Sequence, residues 1–325
     1  MTSIIIPVHN AESFLIQCLT SVQEQSLDDW ECLIIDDGST DKCAAICVDW
    51  CKKDSRFKYF HQSNNGVSAA RNVGLRECLG NYICFIDADD WVDRSYLERF
   101  HPLITESDLI VSGQKREYED GNSSLFIPDK NTSFFVSSDN TSLFLSLEQR
   151  SLLFAPHEKL YRADIIKKNN LRFREDCSYG EDLLFNYQYL EHVKVISTIA
   201  SAMYHYRIHD NSLSLTFRAN QFEEDYAQWL VLKEFHEKKN LWNNDVEAFL
   251  AKRLWGIVYD GLFLYPKLNN KRGYLSRILS IPEISLLKKR EDVFSCAQWI
   301  KYSIIHRLST VFYLFFRINS TRAQS

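Results

Sequence analysis

Strand-like and helix-like stretches alternate through residues 1–90, and each apolar run stops on polar or acidic residues. The first run, "SIIIPV" at 3–8, is continuous and Ile-rich, as expected of a strand covered on both faces. Phe14, Leu15, Cys18, Leu19 and Val22 follow at helical spacing, with Asn10 placed to cap that helix. "ECLIIDD" reads as a second strand ending at Asp37, and "GSTD" as the turn into a helix that holds Cys43, Cys47 and Cys51. "FKYFHQ" at 57–62 reads as a third strand, "VSAARNVGLREC" as a helix and "NYICFIDAD" as a fourth strand. Such alternation implies an α/β fold: a mostly parallel sheet with helices on both faces and right-handed crossovers. Ligands of open sheets of this kind sit beyond the carboxyl ends of the strands. The endings "HN", "DDGST" and "DADD" should therefore converge on one rim.

The last ending puts Asp87, Asp89 and Asp90 within four positions, where carboxylates repel unless a positive charge sits among them. An Asp-x-Asp at a strand end can hold a divalent cation through oxygen, with substrate phosphates completing the shell. Taken alone, the stretch reads equally as an Asp-rich turn capping the next helix. Asp37 is either a turn residue or an acceptor of hydrogen bonds from a nucleobase or ribose. Arg71 follows a glycine turn into a helix and reads either as an exposed helix residue or as a diphosphate ligand. Glu181 and Asp182 in "YGEDLLF" occupy the first turn of a predicted helix, where a cap and a general base are both chemically sound. His205 and His209 are four apart in a strand-like stretch, which argues against a helical metal pair and makes each a structural residue.

Composition removes several classes. With 38 Lys plus Arg against 43 Asp plus Glu, the net charge of -5 gives no polyanion-binding signature, so nucleic acid is not an expected partner. The nine cysteines include no Cys-x-x-Cys pair, which argues against a disulfide framework or zinc ribbon; Cys43, Cys47 and Cys51 read as small apolar core residues. A dinucleotide fingerprint, a phosphate loop and a nucleophile elbow are all missing. "MTSIIIPVHN" has neither the basic start nor the long apolar stretch of a signal peptide, so a cytoplasmic location is expected.

Between about 105 and 150 the pattern breaks into Ser, Asn and Asp clusters, the signature of variable loop and edge-strand material. "VKVISTIASAMYHYRIHDNSLS" reads as a strand pair or a strand and loop, and long helical stretches dominate from about 220.

Taken in order, "SIIIPVHN", "IIDDGSTD", "NNGVSAARNVG", "FIDADDW", "KLYR", "GED" and "YHYR…NSLS" resemble the inverting bacterial glycosyltransferases of family 2. The resemblance spans roughly residues 1–215 and implies the nucleotide-diphosphosugar-binding fold of glycosyltransferase A type, leaving 216–325 as a helical C-terminal region. It implies donor contacts from Pro7, Val8, Asn10, Asp37, Asn65, Arg71, Asp87 and Ala88, with Arg207 and Ser212 closing over the donor diphosphate. It further implies Asp89 as ligand of Mn²⁺ or Mg²⁺, Asp182 as catalytic base, and Lys159 and Glu181 as acceptor contacts. The implied donor is a nucleotide sugar, foremost a UDP-sugar. The implied acceptor is a saccharide, polyprenyl-diphosphate-linked in many similar enzymes of surface polysaccharide synthesis. One departure stands out: the family often has Trp-Asn before "KLYR", whereas His157 and Glu158 stand here.

Two other functions fit parts of the pattern. A metal-dependent phosphohydrolase would use "DADD" with an aspartyl nucleophile, but such enzymes usually carry it on an early strand. A non-catalytic nucleotide-sugar binder would be expected to lose the Asp-x-Asp or Glu-Asp pair, and both are intact. Near the C-terminus, Trp299, Ile300, Ile304, Leu308, Phe312 and Phe315 form one helical stripe. The apolar run "VFYLFF" falls far short of the ~20 residues that span a bilayer. A helix over 296–318 lying on the inner membrane face and one packed on the catalytic domain are both compatible with it.

Overall fold

A computed structural model describes residues 1–264 except 178, 210–217 and 219, together with 277, 280–283 and 286. The first four strands are β1 (Thr2–Val8), β2 (Trp30–Asp37), β3 (Phe57–Gln62) and β4 (Tyr82–Phe85), separated by helices α1 (Leu15–Gln23), α2 (Cys43–Lys53) and α3 (Val67–Glu77). There follow β5 (Trp91–Val92), α4 (Tyr96–Phe100), β6 (Leu109–Tyr118), β7 (Ser123–Phe126), β8 (Thr132–Phe135) and α5 (Thr141–Gln149). The described chain then runs through β9 (Lys159–Arg162), α6 (Ala163–Lys168), α7 (Glu181–Leu190), β10 (Val195–Ile208), α8 (Gln221–Lys238) and α9 (Asn244–Leu264).

One sheet orders these strands β3-β2-β1-β4-β9-β6-β10-β5, with β7 added to β6 and β8 to β10. The run β3-β2-β1-β4 is parallel throughout, as the alternation implied. Beyond β4 the sheet becomes mixed: β9 is antiparallel to both β4 and β6, and β10 is parallel to β6. The apolar pattern could not separate these cases, because a strand buried on both faces reads the same in either direction.

Every residue of β1 and β2 is buried, and each fully buried Ile of β1 contributes roughly 2–3 kcal/mol. Helix α3 lies so close to β1 that a Cβ at Gly74 would strike the Ile5 side chain. Cys43 and Cys47 join Cys18, Cys32 and Cys84 in the core as free thiols. Burial pushes the Cys43 thiol up to about 12, so these are inert space-filling groups, as expected.

Asn10 does not cap α1, which starts only after Phe14. The segment 105–150 holds β6, β7, β8 and α5 rather than loop, while its edge-strand reading fits β7 and β8, each paired with a single strand among the described residues. Of the two alternatives for the stretch after α7, a strand pair is excluded: β10 is one strand of fourteen residues, with register irregularities between Thr198 and Tyr204.

The chain divides into two compact units, one of residues 1–220 and 230–242, the other of 221–229 and the residues from 243 onward. In the second, the Trp229 indole donates to the Leu250 carbonyl at 2.8 Å. Among the described residues no helix is long and apolar enough to cross a membrane. The stripe at 296–318 lies outside them.

Candidate active site

The tips of β1 and β2 are tied by their own polar groups. Asp36, fully buried, accepts from the Ser39 N–H at 2.9 Å and the Tyr59 hydroxyl at 2.7 Å, with His61 Nδ1 at 3.2 Å. Burial opposes its charge, but these bonds prevail and hold its carboxyl below the usual range. Asp37, 3% exposed, accepts from Gln62 Nε2 at 2.7 Å and from the Asn65 and Gly66 N–H groups at 2.8 Å each. It thereby shapes the loop before α3, where Gly66 takes φ of +89°. Asn10 (φ +49°) accepts from the Thr40 N–H at 2.8 Å, and the His9 ring lies against the Asp37 carbonyl at 2.8 Å.

The positive charge demanded by the acidic strand end is Arg71. Buried at 4% exposure, it donates Nη2 to Asp87 Oδ1 at 2.9 Å and Nη1 to Asp182 Oδ1 at 2.6 Å, with Glu181 Oε1 at 3.7 Å. Residues 111 apart in sequence thus meet on one guanidinium. Asp182 opens α7 behind Gly180, whose φ of +85° suits glycine. Desolvation raises the Asp182 carboxyl; Arg71 opposes it, Glu181 and Asp87 reinforce it, and the result is about 7. Its side chain keeps 29% of its surface open. Because Arg71 holds Oδ1, Oδ2 is the oxygen left for a proton.

Asp89 and Asp90 divide the remaining work of the turn. Asp90 is buried and accepts from the Tyr204 hydroxyl at 2.6 Å and the Arg207 N–H at 2.8 Å. The Tyr204 hydroxyl in turn accepts the Asp87 N–H at 3.1 Å. Arg207 spans the turn, donating Nε to the Asp89 carbonyl at 2.9 Å and Nη2 to Gln17 at 2.6 Å. Asp89 stays 37% exposed with His209 Nε2 at 3.1 Å from Oδ2. Burial, then the charge of Asp87, pushes the Asp89 carboxyl up.

That donor chemistry fits a divalent cation. A raised carboxylate beside an imidazole nitrogen is a pair whose mutual contact a metal would replace. Among the described residues no cluster of three or more His, Cys, Asp or Glu could hold an ion by itself. A site of one or two protein ligands completed by phosphate oxygens is how Mg²⁺ and Mn²⁺ commonly bind in phosphate-handling sites.

Lys159 departs from the acceptor contact expected of it. It is 1% exposed, and its ammonium donates to Glu158 Oε1 and the Ala155 carbonyl at 2.7 Å each and to the His157 carbonyl at 3.2 Å. Its charge is spent inside the loop before β9, where Glu158 adopts φ of +52° and contacts His157 Nδ1. Pro7, Val8 and Ala88 are buried. Asn65 is exposed, and Ser212 lies outside the described residues.

The structure therefore brings Arg71, Asp87, Glu181 and Asp182 together, and groups Asp89 with Asp90, Arg207 and His209. Sequence reasoning set His209 aside as structural, noted His157 only as a departure before "KLYR", and missed Tyr204. The signal for Tyr204 was the odd–even alternation of "YHYRI", which sends alternate side chains to opposite faces once β10 is known to be a single strand.

A mixed sheet whose parallel half ends on an acidic Asp-x-Asp turn, with a second carboxylate across an arginine, is the arrangement of a glycosyltransferase A-type fold. Solved structures agree on the fold: S. aureus TarS 1–349 in complex with UDP-GlcNAc gives a TM-score of 0.64 at 23% identity, over 78% of this chain and 71% of that one. Mannosyltransferase PcManGT from Pyrobaculum calidifontis, in complex with GDP-Man and Mn²⁺, gives 0.55 at 13% identity, over 89% and 78%. Residues 3–169 match the family model for glycosyl transferase family 2. The chain is 30% identical over 241 residues to the putative glycosyltransferase EpsH of Bacillus subtilis (strain 168), covering 73% of this chain and 70% of EpsH. With the uncharacterized glycosyltransferase EpsJ of the same strain it shares 28% over 216 residues, spanning 63% of EpsJ. The chain belongs to glycosyl transferase family 2, and it is a glycosyltransferase.

Proposed function

We propose that the enzyme is an inverting transferase that moves a sugar from a nucleoside diphosphate donor, foremost a UDP-sugar, to a saccharide acceptor. The observation that carries this reading is the Arg71 bridge, which holds Asp87 and Asp182 on one cation while leaving Asp182 ionisable near neutrality. Asp182 Oδ2 takes the proton of an acceptor hydroxyl as its oxygen attacks the anomeric carbon. A single backside displacement inverts that centre, so an α-linked donor gives a β-linked product. Arg71 keeps Asp182 oriented, and Arg207, stacked over Phe14 and Trp91, holds the turn that presents Asp89. A divalent cation, Mn²⁺ or Mg²⁺, bound at Asp89 would supply charge neutralisation for the departing diphosphate.

TarS was crystallised with UDP-GlcNAc and PcManGT with GDP-Man and Mn²⁺, which supports a nucleotide-sugar donor and a metal. A polyprenyl-diphosphate-linked acceptor in bacterial surface polysaccharide synthesis, met at the inner membrane face, completes the reading. The test is a panel of UDP-, GDP- and TDP-sugars with Mn²⁺ or Mg²⁺, read as nucleoside diphosphate release. One sugar should dominate and its turnover should vanish with chelator. Chelator-resistant turnover would remove the metal, and release from none would remove the donor class.

A further inference from the structure

Two polar atoms on β6 are sealed from solvent without a hydrogen-bond partner among the described residues: Gln114 Oε1 and Arg116 Nε. Two positions apart on a strand, their side chains leave the same face of the sheet. In the parallel register Tyr204 lies opposite Gln114 and Tyr206 opposite Arg116. The His157 ring stacks on Tyr204 at 4.6 Å and tilts against Tyr206 at 5.4 Å. From β7, the Phe126 ring lies 4.1 Å from the Arg116 guanidinium, and Tyr206 flanks it at 5.9 Å.

Arg56, Arg71, Arg162 and Arg174 each pair with a carboxylate, whereas Arg116, like Arg207, has none in ion-pair reach among the described residues. A plain reading is a cation–π strut for the β6–β7 hairpin. That accounts for the ring faces, but it leaves the buried Arg116 Nε without an acceptor among the described residues. It also leaves the Gln114 amide oxygen orphaned at 3% exposure, a cost that packing alone would not retain.

The patch is tied to the acidic turn. Tyr204 joins it to Asp87 and Asp90 through its hydroxyl, and the His157 ring stacks on Tyr204. We propose that Arg116 and Gln114 form the acceptor subsite, taking a saccharide that carries an oxyanion: the guanidinium holds the oxyanion, the amide a hydroxyl. The assignment rests on the glycosyl-transfer reading above and adds the charge of the acceptor to it. The oxyanion is a phosphate ester or a uronic carboxylate, since both match the planar fork of a guanidinium.

Titration calorimetry on the full-length protein with uridine diphosphate and Mn²⁺ present tests it, using glucose 1-phosphate, glucuronate, inorganic phosphate and glucose as probes. An anionic sugar should bind at least roughly tenfold more tightly than glucose, and Arg116→Gln should erase that advantage. Arg116→Lys should recover part of it, and Gln114→Leu should weaken the anionic sugar more than inorganic phosphate. Preference for glucose 1-phosphate assigns a phosphate-bearing acceptor, and preference for glucuronate an acidic sugar. Equal binding of charged and neutral sugars, or anion binding that folded Arg116→Gln retains, overturns the subsite. Uridine diphosphate is titrated separately: if it binds while the sugar tests fail, only the subsite falls. If it does not bind, the UDP donor is wrong while the sugar titrations still decide Arg116.

Discussion

Two rims of the same sheet are built on opposite principles. Around Asp36 and Asp37, both carboxylates are met by N–H or O–H donors, largely from residues within thirty positions in sequence. Around Gln114 and Arg116, enclosed by long-range neighbours, two polar atoms are sealed with no partner among the described residues. The first rim is finished by folding alone; the second keeps hydrogen-bonding capacity that folding does not use. Arg71 stands between them, its two terminal nitrogens engaged with carboxylates that must act and its Nε buried without a partner among the described residues.

That contrast can be broken by substitution. The largest effect should come from Asp182→Asn, with transfer falling roughly 10²-fold or more while the protein stays folded. Full turnover in this variant would remove Asp182 as the base. A linked expectation concerns pH: because desolvation raises this carboxyl to about 7, it is protonated and idle below that value. Turnover should therefore drop about tenfold per pH unit below that point and level off above it. A profile flat from pH 5 to 8 would contradict the assignment.

Next is Arg71→Met, which strips the cation from Asp87, Glu181 and Asp182 and should cost roughly 3–5 kcal/mol in denaturant unfolding. Asp37→Ala should cost about 2–3 kcal/mol, since it leaves the Asn65 and Gly66 N–H groups without their acceptor. The smallest change sharpens the comparison most: Arg116→Met should alter stability by no more than about 1 kcal/mol in either direction. A loss as large as that for Asp37→Ala would mean that Arg116 is a structural strut and the two rims are alike.

Much of this was legible before any coordinates. The four parallel strands were visible as Ile-rich runs ending on polar residues, and the Asp-x-Asp turn demanded a cation. The antiparallel half was hidden, because β9 and β6 carry the same apolar signal whichever way they run. Arg71 could be named as a site residue, yet its partner Asp182 lies 111 positions away, and no local pattern encodes that meeting. Lys159 misled for the converse reason. A lysine in "KLYR" looks available to a ligand until the positive φ of Glu158 folds three acceptors around it.

Local periodicity and turn chemistry were enough to determine the alternating elements, the buried strands and the acidic rim, since those depend on neighbours within a few residues. Which charges neutralise one another, which carboxylate is lifted toward neutrality and which polar atoms stay unpaired were decided only in three dimensions. Desolvation and Coulomb interaction depend on distance through space, and the chain sets those distances only when the sheet closes.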